Sequence, residues 1–104
     1  MCGHYENVYL RGELAARARS RGYEDIEQGI YEMAKEEFVT QSKPYVDMKV
    51  QLTLLTPKVM VFTQDGHQLL NDYPPEVKDV LLLCDQAIAN IHQRIFAALN
   101  TSRY

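Results

Sequence analysis

The sequence predicts an α+β fold with two N-terminal helices, a two- or three-stranded antiparallel meander and one long C-terminal helix. Three observations support this class. Residues 13–40 combine an alanine- and arginine-rich stretch with an acidic one, divided by Gly22. Residues 45–71 alternate apolar and polar positions between turn-forming residues, which is typical of strands. Residues 77–98 carry apolar side chains at helical spacing.

The length and composition are those of one ordinary folded domain. The chain has 104 residues, of which 46% are hydrophobic and 24% charged, so we exclude a disordered tail and a fibre. We expect a single domain over residues 1–104, with a loose start at residues 1–6 and a tail at residues 101–104. The two cysteines, Cys2 and Cys84, are too few for a disulfide scaffold or a zinc site.

No segment of the sequence is typical of a membrane protein. The longest apolar run, residues 80–84, is far shorter than the roughly 20 residues that a bilayer span needs. The N-terminus lacks the basic and then apolar pattern of a signal peptide. We therefore expect a cytoplasmic protein, in a reducing compartment, with no membrane among its partners.

The first helix follows a short extended segment. Residues 7–11 place Val8 and Leu10 on one side, which predicts a short strand. Gly12 then breaks the chain, and residues 13–21 favour a helix. Gly22 is a typical residue for the position just after a helix end.

The second helix is predicted over residues 24–40. Acidic side chains in its first turn suit the positive end of the helix dipole. Lys43 and Pro44 are expected to end it. Gly29, in its interior, costs about 1 kcal/mol relative to alanine, and marks either a close helix contact or an accident of the sequence.

The meander is predicted from three segments. Residues 45–55 alternate cleanly between apolar and polar side chains, the strongest strand pattern in the chain. Residues 56–58 form a turn before a second strand at residues 59–63. Residues 64–67 contain Asp-Gly, which favours a tight hairpin turn, and residues 68–71 are a candidate third strand.

The last helix opens at the two prolines before Glu76 and runs to about Leu99. Its apolar residues recur at alternating steps of four and three, which defines a heptad seam. We expect two copies of the chain to meet along this seam in a two-fold interface, formed by Val77, Leu81, Cys84, Ile88, Ile91 and Ile95. A helix of about 25 residues is roughly 37 Å long. A domain of this size is about 33 Å across. The alternative is that the helix packs only across its own domain.

Charge is distributed unevenly along the chain. The net charge of -3 results from +2 over residues 1–23, -5 over residues 24–42, and a balanced remainder. Two helix faces that pair with each other explain this pattern. A face that contacts phosphate also explains it, and would use the four arginines of the first block: Arg11, Arg17, Arg19 and Arg21.

Residues 8–34 resemble a ribbon-helix-helix repressor, in which a dimeric strand ribbon reads the major groove and two helices join the dimer. The resemblance rests on Val8-Tyr9-Leu10-Arg11 ahead of two predicted helices. It implies that Tyr9 and Arg11 face bases. The sequence departs from the pattern at the start of the second helix, where Glu24 and Asp25 would repel phosphate.

Nothing in the sequence predicts catalysis. The three histidines, His4, His67 and His92, have no ligand spacing with one another or with the cysteines, so neither a metal nor another cofactor is expected. No nucleophile elbow, phosphate-binding loop or dinucleotide fingerprint occurs. We therefore expect a non-enzymatic, dimeric regulator or adaptor that binds another protein. The alternative is a DNA-binding transcriptional regulator that uses residues 11–21.

Overall fold

A computed structural model describes residues 2–63 and 65–101, with side chains from residue 6 onward. The elements follow in the order α1 (Cys2–Ser20), α2 (Ile26–Leu55), β1 (Val59–Phe62), β2 (Leu69–Asp72) and α3 (Pro75–Leu99). This confirms the α+β class, with two N-terminal helices, a two-stranded antiparallel sheet and a long C-terminal helix.

The N-terminal segment is helical rather than loose or extended. Helix α1 begins at Cys2, so the predicted loose start is wrong over residues 2–6, while Met1 lies outside the described residues. The predicted strand at residues 7–11 is also wrong, and this segment does not form the ribbon strand of the resemblance. The reason lies in a spacing of four: Leu10, Leu14 and Ala18 fall on one helix face, and Leu14 and Ala18 are fully buried there. Ala15 is buried as well, whereas a strand would have placed it on the face opposite Leu14.

Gly22 ends the first helical segment as the sequence predicts. Its φ of 85° lies in the left-handed region, which glycine adopts without strain. The Gly22 N–H donates to the carbonyl of Arg19, and the Tyr23 N–H donates to that of Ala18. These two bonds form a Schellman motif, which satisfies carbonyls at the end of α1.

The predicted strand at residues 45–55 is wrong, because α2 continues through Pro44 to Leu55. Helical pairing is visible at Thr53, whose hydroxyl donates to the carbonyls of Lys49 and Val50, four and three residues earlier. The apolar positions of this segment fit a helical spacing as well as a spacing of two. Pro44 lacks a backbone donor and its ring crowds the carbonyl four residues earlier, yet α2 continues on both sides of it.

The hairpin confirms the remaining two strands. β1 and β2 pair antiparallel, with Val59 opposite Asp72 and Phe62 opposite Leu69. In the connecting turn, Gly66 adopts a φ of 75° and Asp65 accepts a hydrogen bond from the His67 N–H at 3.1 Å. Gln64 of the predicted turn lies outside the described residues.

The chain divides into two compact units. Unit 1 consists of residues 1–43 and 89–104, and unit 2 of residues 44–88. Unit 1 has a continuous apolar core, which is formed by Leu14, Ala15, Ala18, Ile30, Met33, Ala34, Ile91 and Ile95. In unit 2 the single buried hydrophobic residue among those described is Cys84. One domain over the whole chain stays a prediction.

Candidate functional site

The predicted seam of α3 is divided between buried and partly exposed residues. Cys84, Ile91 and Ile95 are buried within a single copy, while Val77, Leu81 and Ile88 are only partly covered. In unit 1, Ile91 and Ile95 complete the core. A buried side chain is not available to a second chain, so the role of these six residues in a dimer stays a prediction.

The apolar surface that stays exposed on α3 lies beside the seam. Val80, Leu82, Leu83 and Phe96 are between 36% and 63% exposed. The run of apolar residues at positions 80–84 was the signal for part of this surface, because such a run covers most of a helix circumference. None of these four residues is at a position of the heptad seam.

Unit 2 exposes most of its large apolar side chains. Fourteen of them are between 36% and 77% exposed in the part of unit 2 that the structure describes. They are Tyr45, Val46, Met48, Val50, Leu54, Leu55, Val59, Met60, Phe62, Leu69, Leu70, Val80, Leu82 and Leu83. We call this set the unit 2 apolar surface. Such a concentration in so small a unit is typical of an interaction surface.

Polar and sulfur contacts, rather than an apolar core, connect the elements of unit 2. The Cys84 thiol lies 3.6 Å from the sulfur of Met48. Lys49 of α2 forms an ion pair with Asp85 of α3. The Tyr73 hydroxyl donates to the carbonyl of Thr53 at 3.1 Å. The first two contacts join α2 to α3, and the third joins α2 to the segment between β2 and α3.

The apolar area that unit 2 exposes, summed over all its faces, is comparable with one side of a dimer interface. Burying a large apolar side chain removes on the order of 100 Å² from water. Fourteen side chains that are about half exposed therefore present roughly 700 Å² of apolar area in total. A stable protein–protein interface buries about 800 Å² on each partner.

In unit 1, Arg11 connects all three helices. Its guanidinium donates to both carboxylate oxygens of Glu27 on α2, at 2.8 and 2.9 Å, and to the carbonyl of Leu99 at the end of α3, at 2.9 Å. The side chain of Arg11 is only 14% exposed. A cation at the carboxyl end of a helix also suits the helix dipole. Arg11 is therefore engaged within its own chain.

Two further arginines of α1 pair with acids of α2. Arg17 lies 2.7 Å from Glu37, and Arg21 forms a two-bonded pair with Glu36 at 2.6 and 2.7 Å. This pairing confirms the interpretation that the basic and acidic blocks face each other. The remaining candidate, Arg19, is exposed beside a shallow depression of unit 1.

Glu37 is the most enclosed acid of these pairs, with a side chain that is 16% exposed. Burial by itself would raise the pKa of its carboxyl. Hydrogen bonds from Arg17 and Gln41, with the charges of Arg17 and Arg94, outweigh that effect and hold the pKa below its ordinary value of 4.5. Gln41 in turn accepts a hydrogen bond from Arg94, so α1, α2 and α3 share one network in unit 1.

We expect this network to make the stability of the protein sensitive to acid. Because the folded-state pKa of Glu37 is lowered, its contribution is present above the unfolded-state pKa and is lost as pH falls through the folded-state value. Glu37→Gln should lower the free energy of unfolding by about 1 kcal/mol at pH 7, and by less near pH 3. Urea unfolding at a series of pH values measures the difference. Parallel curves for the two chains would contradict the prediction.

Unit 1 also carries an apolar groove between α2 and α3, with a volume of about 490 Å³. Its lining includes Phe38, Val39, His92 and Phe96. The His92 ring packs edge-on against Phe38 and is stacked on Phe96, with centroid distances of 5.8 and 5.9 Å. Lys35, above the ring of Tyr31 at one side, is the charged lining residue. This volume and lining are typical of a binding groove.

The described residues contain no group of three histidine, cysteine or acidic side chains that would hold a metal ion. His67 is in the hairpin turn with an 82% exposed side chain, while the side chain of His4 lies outside the described residues. Over residues 2–63 and 65–101, none of the helices has the length and apolar character needed to cross a bilayer.

Comparison of the chain with models of known protein families, with curated proteins and with solved structures gave no match.

Proposed function

We propose that this protein is a non-enzymatic interaction protein that acts as a homodimer, with the unit 2 apolar surface between the two copies. One observation carries the proposal: unit 2 exposes fourteen large apolar side chains and buries only Cys84 among its described hydrophobic residues. Folded units near this size without a core usually depend on disulfides, metals or oligomerisation. The sequence has too few cysteines for a disulfide scaffold, and the described residues contain no cluster of side chains that would hold a metal ion.

A two-fold dimer suits such a surface because each patch meets an identical patch on the other copy. An apolar surface needs no complementary charge pattern to match itself. In contrast, the charged side chains of unit 1 pair with each other across α1 and α2. Self-association through unit 1 would therefore be less favourable than through unit 2.

The regulator or adaptor part of the proposal is supported by the groove of unit 1. Tyr31, Val39 and Phe96 at this groove are more than half exposed, and Lys35 at its edge is paired with Glu32 at 3.3 Å. A helix of a partner protein that presents apolar anchors fits this lining. The groove belongs to unit 1, so the proposed dimer contacts do not require its residues.

DNA binding is the second hypothesis, and the structure offers it less support. It would use Arg11, Arg17, Arg19 and Arg21 to contact phosphate. Three of these guanidinium groups form ion pairs with Glu27, Glu37 and Glu36. Contacting phosphate would require those pairs to break. No retention on a DNA column at low salt would dismiss this hypothesis, since phosphate contacts are strongest there.

The dimer is tested by light scattering on the wild-type chain and on Leu83→Glu. Leu83 is 63% exposed, so its replacement should leave the fold of one copy intact. In a two-fold interface the change places two carboxylates in apolar surroundings. At about 50 μM we expect the mass of two chains for the wild type and of one chain for Leu83→Glu, with a Kd raised at least about a hundredfold.

Tyr9→Glu is the matched control. Tyr9 is also 63% exposed on a helix, but it belongs to unit 1. The control should keep the mass of two chains. A wild-type protein with the mass of one chain would overturn the dimer. A Leu83→Glu protein that keeps the mass of two chains would overturn the placement of this face of α3 in the interface.

A further inference from the structure

The hairpin of unit 2 has a short apolar edge strand. β1 is Val-Met-Val-Phe, so the strand itself contains no charge, no proline and no polar side chain, and Pro57 and Lys58 directly precede it. Natural sheets protect their edges with very short strands, lysine, proline, bulges or a covering helix or loop, because an open edge pairs with other strands. β2, by comparison, ends in Asn71 and Asp72, and Asp72 forms an ion pair with Lys78. The two edges of this sheet therefore differ, and β1 is the open one.

The hydrogen-bond pattern shows which backbone groups of β1 point outward. The Thr63 N–H donates to the Gln68 carbonyl at 2.8 Å, which makes Thr63 and Gln68 a hydrogen-bonded pair. Because bonded and non-bonded pairs alternate along an antiparallel ladder, Val61 bonds Leu70 within the hairpin. Met60 and Phe62 therefore direct their N–H and carbonyl groups away from β2.

A two-stranded hairpin is marginally stable in water and needs further strands or a packed face. The side chains of Met60, Phe62 and Leu69 are 59%, 68% and 51% exposed. Met60 and Phe62 share one face of the strand, and Leu69 lies opposite Phe62 on that face. This hairpin therefore lacks the cover that an isolated pair of strands requires.

We propose that β1 of one copy pairs with β1 of a second copy, antiparallel across a two-fold axis at Val61, to form a four-stranded sheet. This inference rests on the proposed homodimer and specifies its backbone contacts. In this arrangement the outward backbone N–H and carbonyl groups of Met60 form hydrogen bonds with those of Phe62 in the other copy. By symmetry, Phe62 of the first copy pairs with Met60 of the second in the same way. Val61 then faces Val61 of the second copy as a non-hydrogen-bonded pair.

A second copy is the occupant because the strand is complementary to itself. With the axis at Val61, Met60 faces Phe62 and Val61 faces its own copy, while Val59 faces Thr63, so the pairing buries no charge. The same pairing of β2 would bring Leu69 towards Asp72, which is a poor match. The β1 edge is also part of the unit 2 apolar surface, so the sheet and the helices contribute to one interface.

The arrangement is tested by oxidising Val61→Cys in the full-length chain. A non-hydrogen-bonded pair holds its two Cα atoms about 4.5 Å apart, which is within the range of a disulfide. We expect most of this variant to migrate on a non-reducing gel at the mass of two chains, and to return to one chain after reduction. The wild-type chain, treated in the same way, controls for Cys2 and Cys84.

Leu70→Cys is the matched control, because Leu70 pairs with Val61 inside the hairpin and is 46% exposed. In the proposed sheet the two copies of this residue lie about 15 Å apart, so no cross-link should form. If light scattering shows a dimer but Val61→Cys does not cross-link, the strand pairing is overturned and the dimer stands. Cross-linking of Leu70→Cys instead would also overturn it, in favour of the β2 edge. A monomeric wild type overturns both proposals.

Discussion

Leu14→Ala is expected to lower the free energy of unfolding by about 3 kcal/mol. Leu14 is fully buried on α1, in a core that also contains Met33 of α2 and Ile95 of α3. Removing its branched end deletes apolar contacts with both neighbouring helices and leaves a cavity that a well-packed core fills only in part. Urea unfolding followed by circular dichroism measures the loss.

Val39→Ala serves as the control for Leu14→Ala. Val39 is on a helix of the same unit but is 63% exposed, so its truncation should change the free energy of unfolding by less than about 0.5 kcal/mol. Equal losses in the two variants would show that the core of unit 1 is not centred on Leu14. That result would also remove the contrast between a packed unit 1 and an exposed unit 2.

Gly29→Ala is expected to destabilise the protein by about 2 kcal/mol, although alanine favours helices more than glycine does. A Cβ at Gly29 would lie 2.7 Å from the Cβ of Ala18 and 2.9 Å from the Cβ of Tyr23. Neither atom is the mobile end of a side chain, so α1 and α2 would have to separate. The close helix contact is therefore the reason for Gly29, and the same unfolding measurement reports its effect.

Gly12→Ala is expected to change the free energy of unfolding in the opposite direction, although Gly12 also lies within a helix. Gly12 is exposed on α1 and an added Cβ there meets no atom within 4 Å. Only the helix propensity remains, so this variant should be stabilised by about 1 kcal/mol. A Gly29→Ala protein that gains stability as Gly12→Ala does would contradict the close contact between α1 and α2.

The segment at residues 45–55 shows the limit of reading periodicity from a single chain. Val46, Val50 and Leu54 alternate with polar residues, but they also recur every four positions, so a strand and a helix explain them equally. Pro44 favoured a break at this point. The segment is a helix, in which Val46, Val50 and Leu54 are 42%, 47% and 77% exposed. A local pattern does not reveal whether a distant element will cover a face.

The seam of α3 shows the same limit at the level of the site. The heptad spacing correctly located an apolar helix from Pro75 to Leu99. It did not distinguish residues that pack within one copy, such as Ile91 and Ile95, from those left outside, such as Leu82 and Leu83. Both sets are equally hydrophobic, and only the positions of α1 and α2 in unit 1 decide which is covered.

The sequence by itself determined features that depend on neighbours along the chain. These are the stop at Gly22, the hairpin turn at Gly66, the start and end of α3, and the attraction between a basic α1 and an acidic α2. The tertiary structure alone decided that α2 runs through Pro44, that Gly29 fits against Ala18, and that unit 2 keeps its apolar side chains exposed. The physical reason is that turns and helix ends arise from local backbone preferences, whereas burial depends on elements far apart in the chain.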